Sequence, residues 1–168
     1  MLKILVPVDG SSNSLHAVRH VVCEFRKNPA LKIHVLNVQA PFSRYISRFS
    51  SRRIREALHR EQAEKALKPV RRLLESHCVP YTVHVEVGGK AEMIADTACR
   101  LQCDHVVMSA ARKSSLAQMV EDSVTNQVLE LTAVPVQIIA GDAISRWERY
   151  GIPAGLGAVA GLILLAAG

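Results

Sequence analysis

Two spacings of apolar residues take turns along this chain. Continuous or alternating runs occur at Leu2 to Val8 (LKILVPV), Leu31 to Val38 (LKIHVLNV) and Tyr81 to Val87 (YTVHVEV). Between them, apolar residues recur every three or four positions. Leu15, Val18, Val22 and Phe25, with Ala17 and Val21 beside them, make one helical face that Asn28-Pro29 closes. A long helix is predicted from about Arg53 to His77, with Ile54, Leu58, Leu67, Val70 and Leu74 turned inward. Pro69 predicts a kink or a break in it, because proline removes a backbone donor and crowds the preceding turn. Ala91, Ile94, Ala95, Ala98 and Leu101 give another helix after Gly88-Gly89. The third run alternates strictly, Tyr81, Val83, Val85 and Val87 against Thr82, His84 and Glu86, which suits a strand toward the edge of a sheet.

Val106 to Ile139 then reads as buried strand, loop, helix, tight connection and buried strand. Five strands thus alternate with four helices. Strands this uniformly apolar belong to a parallel sheet covered on both faces. The predicted fold class is therefore α/β, a three-layer α/β/α sandwich with a five-stranded parallel sheet. Ligands of such sheets bind beyond the carboxyl ends of the strands, where free N–H groups and helix N-termini favour anions. In Asp9-Gly10-Ser11-Ser12, which follows the first strand, Gly10 frees the turn and a serine caps the next helix.

The 168 residues allow one domain with a full core plus an appendage, and 49% apolar against 4% aromatic residues makes that core aliphatic. The net charge of +6 is uneven: from Ala40 to Glu75, eight Arg and two Lys face four Glu, so the rest of the chain sums to zero. Arg44, Arg48, Arg52, Arg53, Arg55 and Arg60 are interleaved with Tyr45 and Phe49. That pattern suits an anionic membrane surface or stacking on nucleic-acid bases, and equally a solvated loop leading into a helix.

Catalytic candidates are few. Cys23, Cys78, Cys99 and Cys103 form no C-x-x-C pair, and their apolar contexts predict buried free thiols in a reducing cytoplasm. His16 and His20 are four apart, but without a third ligand they read as a solvent-exposed pair, and His84 reads as a surface residue. No nucleophile–base–acid set, paired carboxylates or metal set stands out, so no catalytic residue and no metal are expected. The N-terminus carries no signal peptide.

The organisation expected is an α/β domain over 1–140, a linker over 141–150 and an apolar helical tail over 151–168. Gly151 to Gly168 has no charged residue and as a helix is roughly 27 Å long, just short of a hydrocarbon core. Arg146, Trp147, Arg149 and Tyr150 before it match a cytoplasmic-side interfacial anchor. The alternative is a helix packed on the domain or on a partner subunit.

The start (ILVPVDGSSNSLHAV), the middle (GGKAEMIADTACRLQCDHVVMS) and the end (DSVTNQVLELTAVPVQII) together resemble the universal stress protein family over about Met1 to Ala140. The resemblance implies a Rossmann-like fold of the adenine nucleotide alpha hydrolase type, and a homodimer through the last strand, here Val136 to Ile139. One branch of the family binds ATP through G-x-x-G, nine residues, then G-S or G-T. The three glycine positions are Ser109, Arg112 and Asp122 here, and only Ser123 matches. Asp9, which in that branch sits by the adenine, is retained, as is Val38. A side chain at a left-handed glycine position costs on the order of 1 kcal/mol. Asp122 places a carboxylate where a triphosphate would lie, or caps the following helix. Arg112 and Lys113 offset part of that repulsion.

The resemblance therefore implies a non-enzymatic stress-response dimer without tight nucleotide binding and with no cofactor expected. On this reading the protein is cytoplasmic and held at the inner face of a membrane by the Gly151–Gly168 tail, with Arg44–Arg60 against anionic lipid. The alternatives are an ATP-binding switch with an altered phosphate loop, capable of weak hydrolysis, and a nucleic-acid-associated module using Arg44–Arg60.

Overall fold

The computed structural model describes residues 2–42, 51–112 and 124–143. Strands and helices alternate as β1 (Lys3–Pro7), α1 (Ser12–Lys27), β2 (Lys32–Gln39), α2 (Arg52–Ser76), β3 (Tyr81–Val87), α3 (Lys90–Arg100), β4 (His105–Arg112), α4 (Val124–Leu131) and β5 (Val136–Ala143). The strands form one sheet in the order β3-β2-β1-β4-β5, parallel at every pairing. This is the predicted three-layer sandwich. The chain moves outward from β1 to β3 and then crosses back to β4, so the order reverses between β1 and β4.

Alternate residues of each inner strand feed opposite cores, which is why these strands read as continuous apolar runs. On one face, Ile4, Val6, Ile33 and Val35 meet Val18 and Val21 of α1 and Leu67, Val70 and Leu74 of α2. On the other, Leu5, Leu36, Val106 and Met108 meet Ile94 and Ala98 of α3 and Val128 of α4. Leu5, Leu36, Leu67 and Leu74 have no exposed surface.

Helix α2 departs from the expected inward face. It runs unbroken through Pro69, but Ile54 is 54% and Leu58 39% exposed, whereas Leu67, Val70 and Leu74 are fully buried. The reason is phase. At about 100° per residue, the nine positions from Leu58 to Leu67 turn the helix two and a half times, so the two apolar sets point to opposite sides. On the inward side of the first half Arg55 and His59 are only half-buried and Ala63 alone joins the core, with the His59 ring 4.3 Å from that of Phe42.

Strand β3 lies at the sheet edge as expected, yet only Tyr81 and Val83 pack on the core; Val85 and Val87 are 44% and 47% exposed. His84 is half-buried rather than a free surface residue. Its Nε2 lies 3.1 Å from Nδ1 of His34 on β2. Burial holds both imidazoles below the ordinary histidine range; the His84 ring adds to this at His34, and Arg100 adds to it at His84.

Two further expectations need correction. Cys23, Cys78 and Cys99 are exposed, and only Cys103 is buried. Cys23 falls on the outer side of α1, while Cys78 follows the end of α2 in the left-handed region (φ 52°). His16 and His20 are half-buried because α1 packs across β4 and β5. His20 Nε2 is 3.0 Å from Glu24 Oε1 and 2.9 Å from Gln137 Nε2. Among the described residues, no group of three His, Cys, Asp or Glu side chains is placed to hold a metal ion. None of the described helices is long and apolar enough to cross a membrane; the Gly151–Gly168 tail lies outside the described residues, as do Arg44 and Arg48.

Candidate functional site

The exit from β1 is tied down by two hydrogen bonds. Val8 N–H donates to Leu36 O at 2.8 Å, and the buried Asn37 amide donates to Val8 O at 2.7 Å. β1 is thereby tied to β2 just before the chain turns. Gly10 follows with φ +83°, and Ser11 caps α1 by accepting from Ser14 N–H at 3.2 Å. This geometry projects Asp9 beyond the sheet. One of its carboxylate oxygens accepts from the Ser11 hydroxyl at 2.6 Å and from the Ser11 N–H at 3.0 Å. The residue as a whole is exposed, but the turn encloses part of its carboxyl group. That enclosure pushes the carboxyl up, and hydrogen bonds from Ser11 and Ser14 outweigh it, so Asp9 sits below the usual carboxylate range. It is a fixed anion.

Beside Asp9 a cavity of about 340 Å³ opens over the carboxyl ends of β1, β2 and β4, where the strand order reverses. Its walls are apolar (Val8, Leu36, Val38, Ile94 and Met108), and its rim carries Asp9, Ser11, Asn13, Lys90 and Thr125. The starts of α1, α3 and α4 border it. Gly89 caps α3 without a side-chain hydrogen bond, and Lys90 follows in the first turn. Helix N-termini carry partial positive charge, so the rim sets one carboxylate against a lysine and three helix starts.

Asp9, Val38 and Ser109 are thus brought together as the sequence implies. Ser109 is not in a loop, however. β4 pairs with β5 from Val106 through Arg112, with Ser109 opposite Ile139 and Arg112 opposite Ala143 across an irregularity after Ala110. Two of the three expected glycine positions therefore lie on a strand, because β5 extends past Ile139 to Ala143 and keeps β4 paired. The Ser109 hydroxyl donates to Asn13 O, which locks β4 to the start of α1. Asp122 and Ser123 lie outside the described residues.

Asn13, Asn37 and Lys90 did not stand out in the sequence. Lys90 carried a usable signal, since a cation directly after Gly88-Gly89 opens a helix at the carboxyl end of the sheet. Asn37 carried a weaker one, a single amide within an apolar strand.

A model of the universal stress protein family matches residues 1–140. Universal stress protein MJ0531 of Methanocaldococcus jannaschii is 30% identical over 139 residues, covering 82% of this chain and 81% of the relative. The solved structure of hypothetical protein MJ0577 superposes with a TM-score of 0.66 at 25% identity, covering 83% of this chain and 95% of that one. A universal stress protein family structure from Arabidopsis thaliana with AMP bound superposes with a TM-score of 0.62 at 17% identity, covering 85% and 94%.

Proposed function

Since the chain belongs to the universal stress protein family, we propose that it is a non-enzymatic stress-response protein whose cavity takes an adenine nucleoside monophosphate weakly and has no clamp for a polyphosphate. The observation that carries this reading is the cavity at the strand-order reversal, with Asp9 held ionised at its rim. Its volume is at the small end of ligand pockets. The apolar walls suit a planar base, Asp9 supplies an acceptor for an exocyclic amine, and Lys90 with the helix starts supplies compensation for one phosphate. The Arabidopsis thaliana structure of this fold has AMP bound.

A triphosphate needs backbone N–H groups that approach it closely, and glycines are what permit the approach. Ser109 stands on β4 with its hydroxyl already engaged, Arg112 ends the same strand, and Asp122 occupies the third glycine position. Calorimetric titration tests the reading. AMP is expected to bind, and ATP to bind no tighter than about threefold beyond it, because the two extra phosphates gain no dedicated contact. ATP tighter than AMP by tenfold or more contradicts the reading, and so does a cavity that takes neither.

The homodimer through Val136–Ile139 belongs to the same proposal. β5 is an open edge strand with Ile138 46% exposed, and Leu129 and Leu131 of α4 are 47% and 54% exposed. In sedimentation equilibrium, Ile138→Lys is expected to shift the chain toward monomer at least tenfold in dissociation constant. An unchanged distribution places the contact elsewhere.

A further inference from the structure

The first half of α2 stands clear of the domain. A Cβ built on Gly10, which follows the carboxyl end of β1, meets the Ala66 Cα at 2.8 Å, so Ala66 marks the level at which the sheet ends. Fourteen residues separate Ala66 from Arg52, about 20 Å of helix reaching beyond that level. Burial agrees with this. Of residues 52–62 only Arg55 and His59 are half-buried, and the rest are exposed. Phe42 braces the inner side of this arm through His59.

Ile54 and Leu58 form an apolar ridge on the side of the arm away from the core stripe. Arg53 and Arg55 lie about 100° to either side of Ile54, and residues 52–62 carry four Arg against two acids, Glu56 and Glu61. Arg52 pairs with Glu56 at 2.7 Å, while Arg53 and Arg60 have no carboxylate partner among the described residues. Because every strand is parallel, the end of β5 at Ala143 lies at the same edge of the sheet as this arm. From that edge the chain continues toward residues 151–168, a sequence without a charged side chain.

We propose that the arm of α2 over 52–62 docks on an anionic bilayer surface, with Ile54 and Leu58 at the headgroup–acyl boundary and the arginines on lipid phosphates. Aliphatic residues flanked by arginine on one helix are what such a boundary accepts. Each arginine near an anionic surface contributes on the order of 1 kcal/mol, falling off within a Debye length. A nucleic-acid strand fits less well, because base stacking requires aromatic side chains and the ridge is aliphatic.

The test uses the full chain with Leu58→Trp in a Trp147→Phe background, so that one indole reports from the ridge whatever the tail does. Leu58 is exposed, so the fold tolerates the change, and circular dichroism checks it. With vesicles of phosphatidylcholine and phosphatidylglycerol at low salt, the emission is expected to shift to the blue. With pure phosphatidylcholine it is expected to stay in place. Adding Arg53→Gln and Arg60→Gln is expected to weaken the response to anionic vesicles on the order of 30-fold. Four outcomes overturn the proposal: no shift with anionic vesicles, an equal shift with neutral ones, a shift produced by RNA instead, or a shift from self-association without lipid. None depends on whether the cavity binds a nucleotide.

Discussion

Gly10→Ala is expected to lower the unfolding free energy by about 2–5 kcal/mol. Two costs combine. The backbone at Gly10 has φ +83°, where an L side chain costs on the order of 1–2 kcal/mol. The added Cβ also lands 2.8 Å from the Cα of Ala66, a backbone atom that moves only if α2 moves. Overpacking of this kind costs about 1–3 kcal/mol. Urea denaturation measures the sum. Removing the Ala66 methyl in a Gly10→Ala, Ala66→Gly double variant is expected to recover little, because the nearest obstacle is main chain. Full recovery in the double variant, or a loss under 1 kcal/mol in the single one, contradicts this account of the turn.

Leu67→Ala is expected to cost about 2–5 kcal/mol, while Leu58→Ala stays within about 0.5 kcal/mol of the parent. Both are leucines of one helix. Leu67 is fully enclosed between α2 and the sheet, so truncation leaves a cavity among Val70, Leu74 and Ile33. Leu58 is on the arm beyond the sheet and loses no buried contact. Equal losses would show that the first half of α2 packs against the domain after all, and the lipid-facing ridge would go with it.

That pair of leucines also marks where the sequence stopped being legible. The alternation of elements, the parallel sheet, the edge position of β3 and the resemblance over residues 1–140 could all be read from spacing and motif. They follow from burial on two faces, and burial writes itself into apolar periodicity. What spacing alone obscured was phase over distance. Leu58 and Leu67 each look like core positions in a short window, and only the half-turn between them separates the two halves of α2. The nine-residue gap was visible in the chain and was the signal to use.

At the site, local motif and tertiary pairing competed. Asp9, Val38 and Ser109 converge as the family pattern implies, since strand ends fix them. Glycine spacing placed Ser109 and Arg112 in a loop, yet pairing with β5 out to Ala143 keeps both on β4. No local pattern announces how far a strand pairs. The exposed thiols missed for a similar reason: Cys23 and Cys99 fall just off the buried stripes of α1 and α3, although apolar residues surround them in the sequence.

On the proposed function, the cavity recognises a nucleoside end and ignores a phosphate chain. Soaking crystals with ATP tests this most directly. An adenine is expected against Val38 beside Asp9, with β- and γ-phosphates that extend into solvent without a protein contact. Ordered β- and γ-phosphates held by the Arg112–Ser123 segment would contradict it.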